Sequence, residues 1–152
     1  HTVRVPVMAL PEDFNDLVET LEFLDDWEER YKFIIDLGRE LEPLPEAAYT
    51  DENKVRGCMS QVWMIHEMRE IDGERVIHLQ ADSDAHIVKG LIAVLMVLYS
   101  DKTPAQVLAV DVEDAFRQLQ LEEHLSANRR NGFFSMIDRI KTVAAIETAS
   151  AS

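Results

Sequence analysis

Apolar residues recur every three or four positions over roughly the first forty residues of the chain, a spacing typical of amphipathic helices. Pro11 and the acidic residues after it favour a helix start. Asp26, followed three positions later by Glu29, has the pattern of a capping box at the start of a second helix. Pro43 and Pro45 end the second run, because proline cannot continue a helix. The pattern predicts two tandem helices that pack as a hairpin, with their apolar stripes in the core.

A strict alternation of apolar and polar residues follows over residues 62–68 and 75–81, as expected for two strands with one buried face. Asp72 and Gly73 lie between the two runs and form a favoured two-residue hairpin turn. The sequence therefore predicts an antiparallel β-hairpin.

The register of this hairpin determines where its two histidines lie. His66 falls opposite Leu79 on the core face, and His78 falls opposite Glu67 on the outer face. Because the two histidines are on opposite faces, they cannot share a metal ion without a shift of register. We therefore expect a satisfied core histidine at position 66, a cross-strand partner of Glu67 at position 78, and no protein-bound metal.

Further helices are predicted in the second half of the chain. Residues 85–99 form an apolar run whose later half is apolar all round, as expected of the most buried helix in a domain. This run is too short to span a membrane. Thr103, Asp111 and Ser126 are suitable capping residues at the starts of three more helices.

These elements predict an α+β fold in a single domain that covers residues 1–152. A small antiparallel sheet, consisting of the hairpin at about 62–81 and a possible short third strand near Val55, packs against several helices. Residues 1–10 are expected to be an N-terminal extension, and residues 147–152 a disordered tail.

The composition narrows the class of partners. The chain carries 29 acidic and 15 basic side chains, which gives a formal net charge of -14. Nucleic acid and anionic membranes are poor partners for such a surface, because cationic side chains bind both. The charge favours solubility, and steering towards a basic partner surface. One cysteine cannot form an intramolecular disulfide, and the first ten residues lack the apolar core of a signal peptide. We therefore expect a cytoplasmic protein.

The single cysteine, Cys58, is the main candidate for chemistry. A lone cysteine is more often a small buried hydrophobe than a nucleophile. Three local features favour the nucleophile: Arg56 is a cation able to lower the pKa of the thiol, Gly57 leaves backbone N–H groups approachable, and polar Ser60 and Gln61 follow closely. Cationic neighbours and oriented amides both stabilise a thiolate. Both interpretations stay open at this point.

Three other polar residues have two interpretations each. Asp84 precedes the buried helix, where a capping role is favoured over a place beside the thiol. Arg129 lies in the first turn of the last helix, where a cation opposes the helix dipole. It either reaches the cysteine loop or pairs at the surface with Glu122 or Glu123. His124 belongs to the same undecided group.

Four motifs occur in order between residues 14 and 141 of the chain. In chain order they are Trp27-Glu28-Glu29-Arg30-Tyr31 with Ile35-x-Leu37-Gly38, Gly57-Cys58-x-Ser60-Gln61-Val62-Trp63, Asp82-Ser83-Asp84-Ala85 with Ile87-Val88-Lys89-Gly90-Leu91, and His124-Leu125-Ser126 with Arg129, Asn131 and Gly132. Together they resemble the SufE-type sulfur acceptors, a family that includes the closely related CsdE and serves iron–sulfur cluster assembly. Met59 stands where this family commonly has glutamine.

The resemblance implies a SufE/IscU-like fold and a sulfur-transfer protein rather than a stand-alone enzyme. Cys58 would take sulfane sulfur as a persulfide from a cysteine desulfurase of the SufS or CsdA type, stimulate that enzyme, and pass the sulfur to a SufBCD-type scaffold. Pyridoxal phosphate belongs to the desulfurase, and no cofactor is expected on this chain, which would be a monomer or a weak homodimer. The supporting residues implied are Arg56, Gly57, Ser60, Gln61, Asp84, His124 and Arg129.

Two other classes of function compete with this interpretation. The first is a cysteine hydrolase or peroxidase, with His124 or His66 as the base for Cys58. The second is an acidic adaptor protein whose cysteine is buried and inert. If Cys58 does carry a persulfide, we expect its thiol to be partly covered and its loop to move outward at the desulfurase.

Overall fold

The part of the chain that the computed structural model describes, residues 12–121 and 123–151, contains six α-helices and a two-stranded antiparallel sheet. The predicted α+β class is confirmed. The expected N-terminal extension, residues 1–10, lies outside the described residues. The elements in chain order are α1 (Glu12–Phe23), α2 (Trp27–Gly38), two short 3-10 helices (Glu46–Ala48 and Asp51–Asn53), β1 (Val62–Ile71), β2 (Glu74–Ser83), α3 (His86–Tyr99), α4 (Pro104–Ala109), α5 (Val112–Gln118) and α6 (Ala127–Ala151).

Side-chain caps begin several helices where the sequence predicts them. Asp26, Thr103, Asp111 and Ser126 each accept a hydrogen bond from the backbone N–H three residues later, at 2.8, 3.1, 3.0 and 3.2 Å. Each bond satisfies an N–H group that has no partner within its helix. The starts of α2, α4, α5 and α6 are therefore fixed locally.

Helices α2 and α3 cross through facing glycines. A Cβ at Gly90 would lie 2.4 Å from the carbonyl oxygen of Ile34, and one at Gly38 would lie 2.6 Å from the backbone nitrogen of Gly90. The absence of side chains at both positions lets the two backbones touch. As predicted, α3 is buried over most of its length. Within the described ranges, no helix is both long enough and apolar enough to cross a membrane.

The β-hairpin has the predicted register and is longer than predicted. Asp72 and Gly73 both have positive φ values, 52° and 82°, as a type I′ turn requires. His66 pairs with Leu79, and Glu67 lies opposite His78 in the strand pairing. The short third strand is reduced to a single bridge between Lys54 and Trp63.

The expected core position of His66 is wrong. Burial along β1 is strongest at its start and declines after Met64, whereas Val76 and Ile77 on β2, opposite Arg69 and Met68, are buried. His66 is exposed, and its Nε2 lies 3.1 Å from a carboxylate oxygen of Glu147. Arg75 on β2 donates to the other oxygen of the same carboxylate at 3.0 Å.

The tail expected to be disordered from residue 147 is helical up to Ala151. Alanine, the residue with the highest helix propensity, recurs through this segment. Glu147 also links α6 to both strands through hydrogen bonds with His66 and Arg75. The disorder prediction is therefore wrong for residues 147–151.

His78 joins two loops rather than bonding across the hairpin. Its two ring nitrogens each lie 2.8 Å from a carboxylate, Nδ1 from Asp101 and Nε2 from Glu42. Glu67 lies opposite it as predicted, but its carboxylate accepts a hydrogen bond from Arg69. Burial lowers the pKa of His78, and the hydrogen bonds with Asp101 and Glu42 outweigh that effect, so the pKa is raised.

This raised pKa predicts the pH dependence of stability. Since the folded state binds the proton more tightly, the stabilisation by His78 is complete below about pH 6 and is lost as the pH rises through the raised pKa. The free energy of unfolding, measured by urea titration, should therefore fall with rising pH more steeply in the wild type than in His78→Gln. A difference between the two proteins that stays constant or grows between about pH 6 and pH 8.5 would contradict this assignment.

Candidate functional site

The cysteine loop, residues 56–61, is held at both ends where it meets the hairpin. At its first end, the N–H of Val55 donates to the carbonyl of Val62 at 2.8 Å. Gly57 then turns the chain with a φ of +90°, and a Cβ at this position would lie 2.4 Å from Oγ of Ser135 on α6. The positive φ and the close contact both favour glycine, so the loop can lie directly against α6.

Asp84 holds the other end of the loop. One of its carboxylate oxygens accepts the N–H of Gln61 at 3.0 Å, and its own N–H donates to the carbonyl of Gln61 at 3.3 Å. The favoured interpretation of Asp84 as a helix cap is wrong: α3 begins after Ala85, without a side-chain cap. The carboxylate instead accepts an N–H of the cysteine loop. Loop and helix N–H groups compete for the same type of acceptor.

The sulfur of Cys58 lies against the backbone of α6. The thiol is half-buried, and Sγ lies 3.5 Å from the carbonyl oxygen of Gly132. A Cβ at Gly132 would lie 3.4 Å from this sulfur. Among the described residues, the carbonyl of Gly132 is the one hydrogen-bond partner of the thiol.

A cavity of about 210 Å³ opens beside the thiol. Its floor is mostly apolar, and Arg129 is the one charged side chain among the described residues that line it. The lining residues are Cys58, Met59, Ser60, Val88, Leu91, Ser126, Asn128, Arg129, Gly132, Phe133 and Met136.

Burial raises the pKa of the Cys58 thiol, because a thiolate loses more hydration than a neutral thiol when it is covered. This is opposite in direction to the expected effect of Arg56. Arg56 is exposed and is not among the residues that line the cavity, although it lies two positions from Cys58 in sequence. The isolated protein therefore keeps its cysteine mainly in the neutral, weakly nucleophilic form at neutral pH.

Arg129 and His124, whose roles the sequence left open, lie in different places in the structure. Arg129 lines the cavity with Cys58, and no ion pair joins it to Glu123 in the described parts of the chain. His124 instead stacks on Trp27 with ring centroids 3.7 Å apart, and its carbonyl accepts a hydrogen bond from the hydroxyl of Tyr31. His124 thus belongs to the contact with α2 and not to the thiol.

A hydrolase or peroxidase mechanism lacks its base in this arrangement. Neither His124 nor His66 is within hydrogen-bond reach of the sulfur. No three His, Cys, Asp or Glu side chains converge in the described residues in a way that suits a metal ion. Of the predicted supporting residues, the structure brings Ser60 and Arg129 to the cavity, while Gly57 and Asp84 shape the loop.

Sequence reasoning from the loop alone missed the contributions of α6. Gly132 and Ser135 contact the loop, and Arg139 donates to the carbonyls of Lys54 and Glu52 at 3.1 and 3.3 Å. The three α6 positions are three and four residues apart, so they share one face of the helix. The spacing is visible in the sequence, but the sequence does not show that this face of α6 contacts the cysteine loop and the segment before it.

A family model described as "SufE: Fe-S metabolism associated domain" matches residues 15–144. The chain belongs to the SufE family. An uncharacterized SufE-like protein of Rhizobium meliloti is 41% identical over 130 residues, which cover 86% of this chain and 93% of that protein. An uncharacterized SufE-like protein of Rhizobium etli is 40% identical over 136 residues, 90% of this chain and 92% of that protein.

The fold also occurs in a solved structure of low sequence identity. The solution structure of a hypothetical protein from Thermus thermophilus matches with a TM-score of 0.72 and 19% identity, and covers 95% of this chain and 100% of its own. At this identity the likeness concerns the fold alone. The family assignment associates this SufE protein with iron–sulfur metabolism.

The first prediction for this site concerns the pH dependence of thiol reactivity. Because burial raises the pKa of Cys58, the rate of its alkylation by iodoacetamide should rise with pH to a midpoint above the ordinary cysteine value of about 8.5. In urea the same cysteine should return to that ordinary value, which makes the unfolded protein its own control. A native midpoint at or below the unfolded one would contradict the desolvation argument.

The second prediction concerns the attachment of the loop by Asp84. Asp84→Ala removes the acceptor for the N–H of Gln61, and should speed hydrogen exchange of that amide by about tenfold, the equivalent of a charged hydrogen bond worth about 1.5 kcal/mol. Asp84→Asn keeps a neutral acceptor oxygen and should have a smaller effect. Exchange measured by NMR at Gln61 tests this, and equal protection in all three proteins would show that Asp84 does not hold the loop.

Proposed function

We propose that this SufE protein accepts sulfane sulfur on Cys58 from a cysteine desulfurase and delivers it to an iron–sulfur cluster assembly scaffold. The observation that carries the proposal is the position of the single thiol, half-buried at a cavity with an apolar floor and one cation. The family's association with iron–sulfur metabolism supports the same conclusion.

The proposed reaction needs one thiol and no change in total oxidation state. The Cys58 thiolate attacks the outer sulfur of the persulfide on the desulfurase cysteine. A new S–S bond forms on Cys58 as the old S–S bond breaks, and the desulfurase cysteine leaves as a thiolate. No resolving cysteine is required, which fits a chain with one cysteine.

The raised pKa of Cys58 makes the reactivity of the thiol depend on the position of the cysteine loop. While the thiol lies against Gly132 it is mainly protonated and unreactive. When the cysteine loop moves outward at the desulfurase, the thiol leaves the surroundings that raise its pKa. Arg129, which lines the cavity, offers a positive charge to the persulfide when the loop returns after transfer.

The cavity suits a sulfur that must be carried rather than used at once. Its volume of about 210 Å³ exceeds the roughly 10–15 Å³ that a single water needs by the same kind of measure, so one added sulfur atom fits. A persulfide returned to this cavity is shielded from reductants until a scaffold of the SufBCD type receives it. Removal of sulfur also frees the desulfurase for its next turnover, which accounts for stimulation of an enzyme of the SufS or CsdA type whose pyridoxal phosphate does the cleavage chemistry.

The direct test is intact-mass measurement after incubation with a cysteine desulfurase and cysteine. The wild type should gain the mass of one sulfur atom, removable by a reductant, and Cys58→Ser should gain none. An adaptor with an inert cysteine would gain no sulfur and would not change desulfurase turnover.

A second variant tests whether any exposed thiol suffices. Cys58→Ser combined with Ala105→Cys moves the single thiol to an exposed position on α4, far from the loop in sequence. Under sulfur-acceptor function, this variant loads at least about tenfold more slowly than the wild type, the rate equivalent of 1.4 kcal/mol. Equal loading of the two proteins would show that the Cys58 site contributes nothing specific.

A further inference from the structure

The side chain next to the reactive cysteine is a large apolar group in open solvent. Met59 is 80% exposed, and it lines the mouth of the same cavity as Cys58. Single exposed apolar residues are normal on protein surfaces. Phe23 and Ile146 are also exposed, but neither lines this cavity. Met59 is distinguished by its place beside the sulfur.

We propose that Met59 is the side chain that anchors this protein on the desulfurase, by entering an apolar pocket beside the persulfide-bearing cysteine of that enzyme. The proposal rests on the sulfur-acceptor function and names the contact that brings the two sulfurs together. The partner surface it specifies has an apolar pocket with an acidic rim.

The geometry of the transfer brings the partner surface close to Met59. Reacting atoms must approach to about 3–3.5 Å, and the α-carbons of adjacent residues are about 3.8 Å apart. A protein that brings its sulfur to Cys58 must therefore also come close to Met59. If the covering surface is apolar, burial of the methionine side chain stabilises the complex, and a flexible thioether adapts to an irregular pocket.

The charges near the sulfur indicate the rim of that pocket. Arg129 is the one charged side chain among the described residues of the cavity lining, and Arg56 is exposed two positions before Cys58. Asp84 lies at the other end of the loop, where its carboxylate accepts the N–H of Gln61. A chain with a net charge of -14 thus has one arginine in the cavity of its thiol and a second exposed at the start of the cysteine loop, and charge complementarity assigns acidic groups to the facing rim.

The test varies the polarity of residue 59 at nearly constant size. In desulfurase assays with increasing amounts of this protein, Met59→Gln should raise the concentration for half-maximal stimulation, KM, by about tenfold, because an unpaired amide is costly to bury; tenfold is the equivalent of about 1.4 kcal/mol. Met59→Leu keeps an apolar side chain of similar volume and should change KM by less than about threefold. kcat at saturation should stay unchanged in both variants.

A separate measurement shows whether the substitutions at residue 59 change the shape of the cysteine loop. Alkylation of Cys58 by iodoacetamide in the isolated protein should proceed at the same rate in the wild type, Met59→Gln and Met59→Leu. If Met59→Gln alters this rate and lowers kcat, then Met59 shapes the loop and the anchor proposal is overturned.

The proposed acidic rim on the desulfurase is tested by reversing the charge of Arg56, which does not line the cavity. Arg56→Glu should raise KM at low ionic strength, and the increase should shrink as added salt screens exposed charges. A lower KM for Arg56→Glu would overturn the acidic rim.

The outcomes separate this proposal from the function on which it rests. If the wild type gains no sulfur from the desulfurase, sulfur-acceptor function fails and the anchor fails with it. If the wild type loads normally and Met59→Gln has the wild-type KM, the anchor alone is overturned.

Discussion

The site depends on direct contact between the cysteine loop and the backbone of α6. Gly57 lets the loop turn against Ser135, and the sulfur of Cys58 lies 3.5 Å from the carbonyl oxygen of Gly132. A side chain at Gly57 would be strained by its φ of +90° and by the close approach to Ser135, whereas a Cβ at Gly132 would lie 3.4 Å from the sulfur, an ordinary contact. Every property of the thiol described above, its half-burial, its raised pKa and its place at the cavity, follows from this contact.

The rest of the fold holds the two sides of that contact in place. The hairpin fixes one end of the loop through Val55 and Val62, and Asp84 fixes the other. Helix α3 supplies the cavity floor through Val88 and Leu91, and its close crossing with α2 buries it deeply. Hydrogen bonds hold the two ends of the loop over this floor, and none of residues 56–61 is fully buried, so few buried apolar contacts oppose a movement of the loop.

Local patterns predicted much of the fold, and tertiary contacts account for the errors. The register of the hairpin followed from Asp72-Gly73 and strict alternation, which act over neighbouring residues. The exposure of His66 did not, because it depends on a tertiary contact, the pairing of its ring with Glu147 of α6. Asp84 was misassigned because helix caps and loop anchors use the same acceptor chemistry. Nearness in sequence also led to an overestimate of the effect of Arg56 on the pKa of the thiol. Arg129 is distant in sequence from Cys58 and yet lines its cavity.

In the proposed function, the fold shelters a sulfur atom between donor and acceptor. The most direct measurement is the lifetime of a persulfide loaded on Cys58 when glutathione is added, followed by intact mass in the native protein and in the same protein unfolded in urea. If the cavity shelters the sulfur, the native persulfide outlives the unfolded one by at least about tenfold, the rate equivalent of 1.4 kcal/mol. Equal lifetimes in the two states would contradict the account.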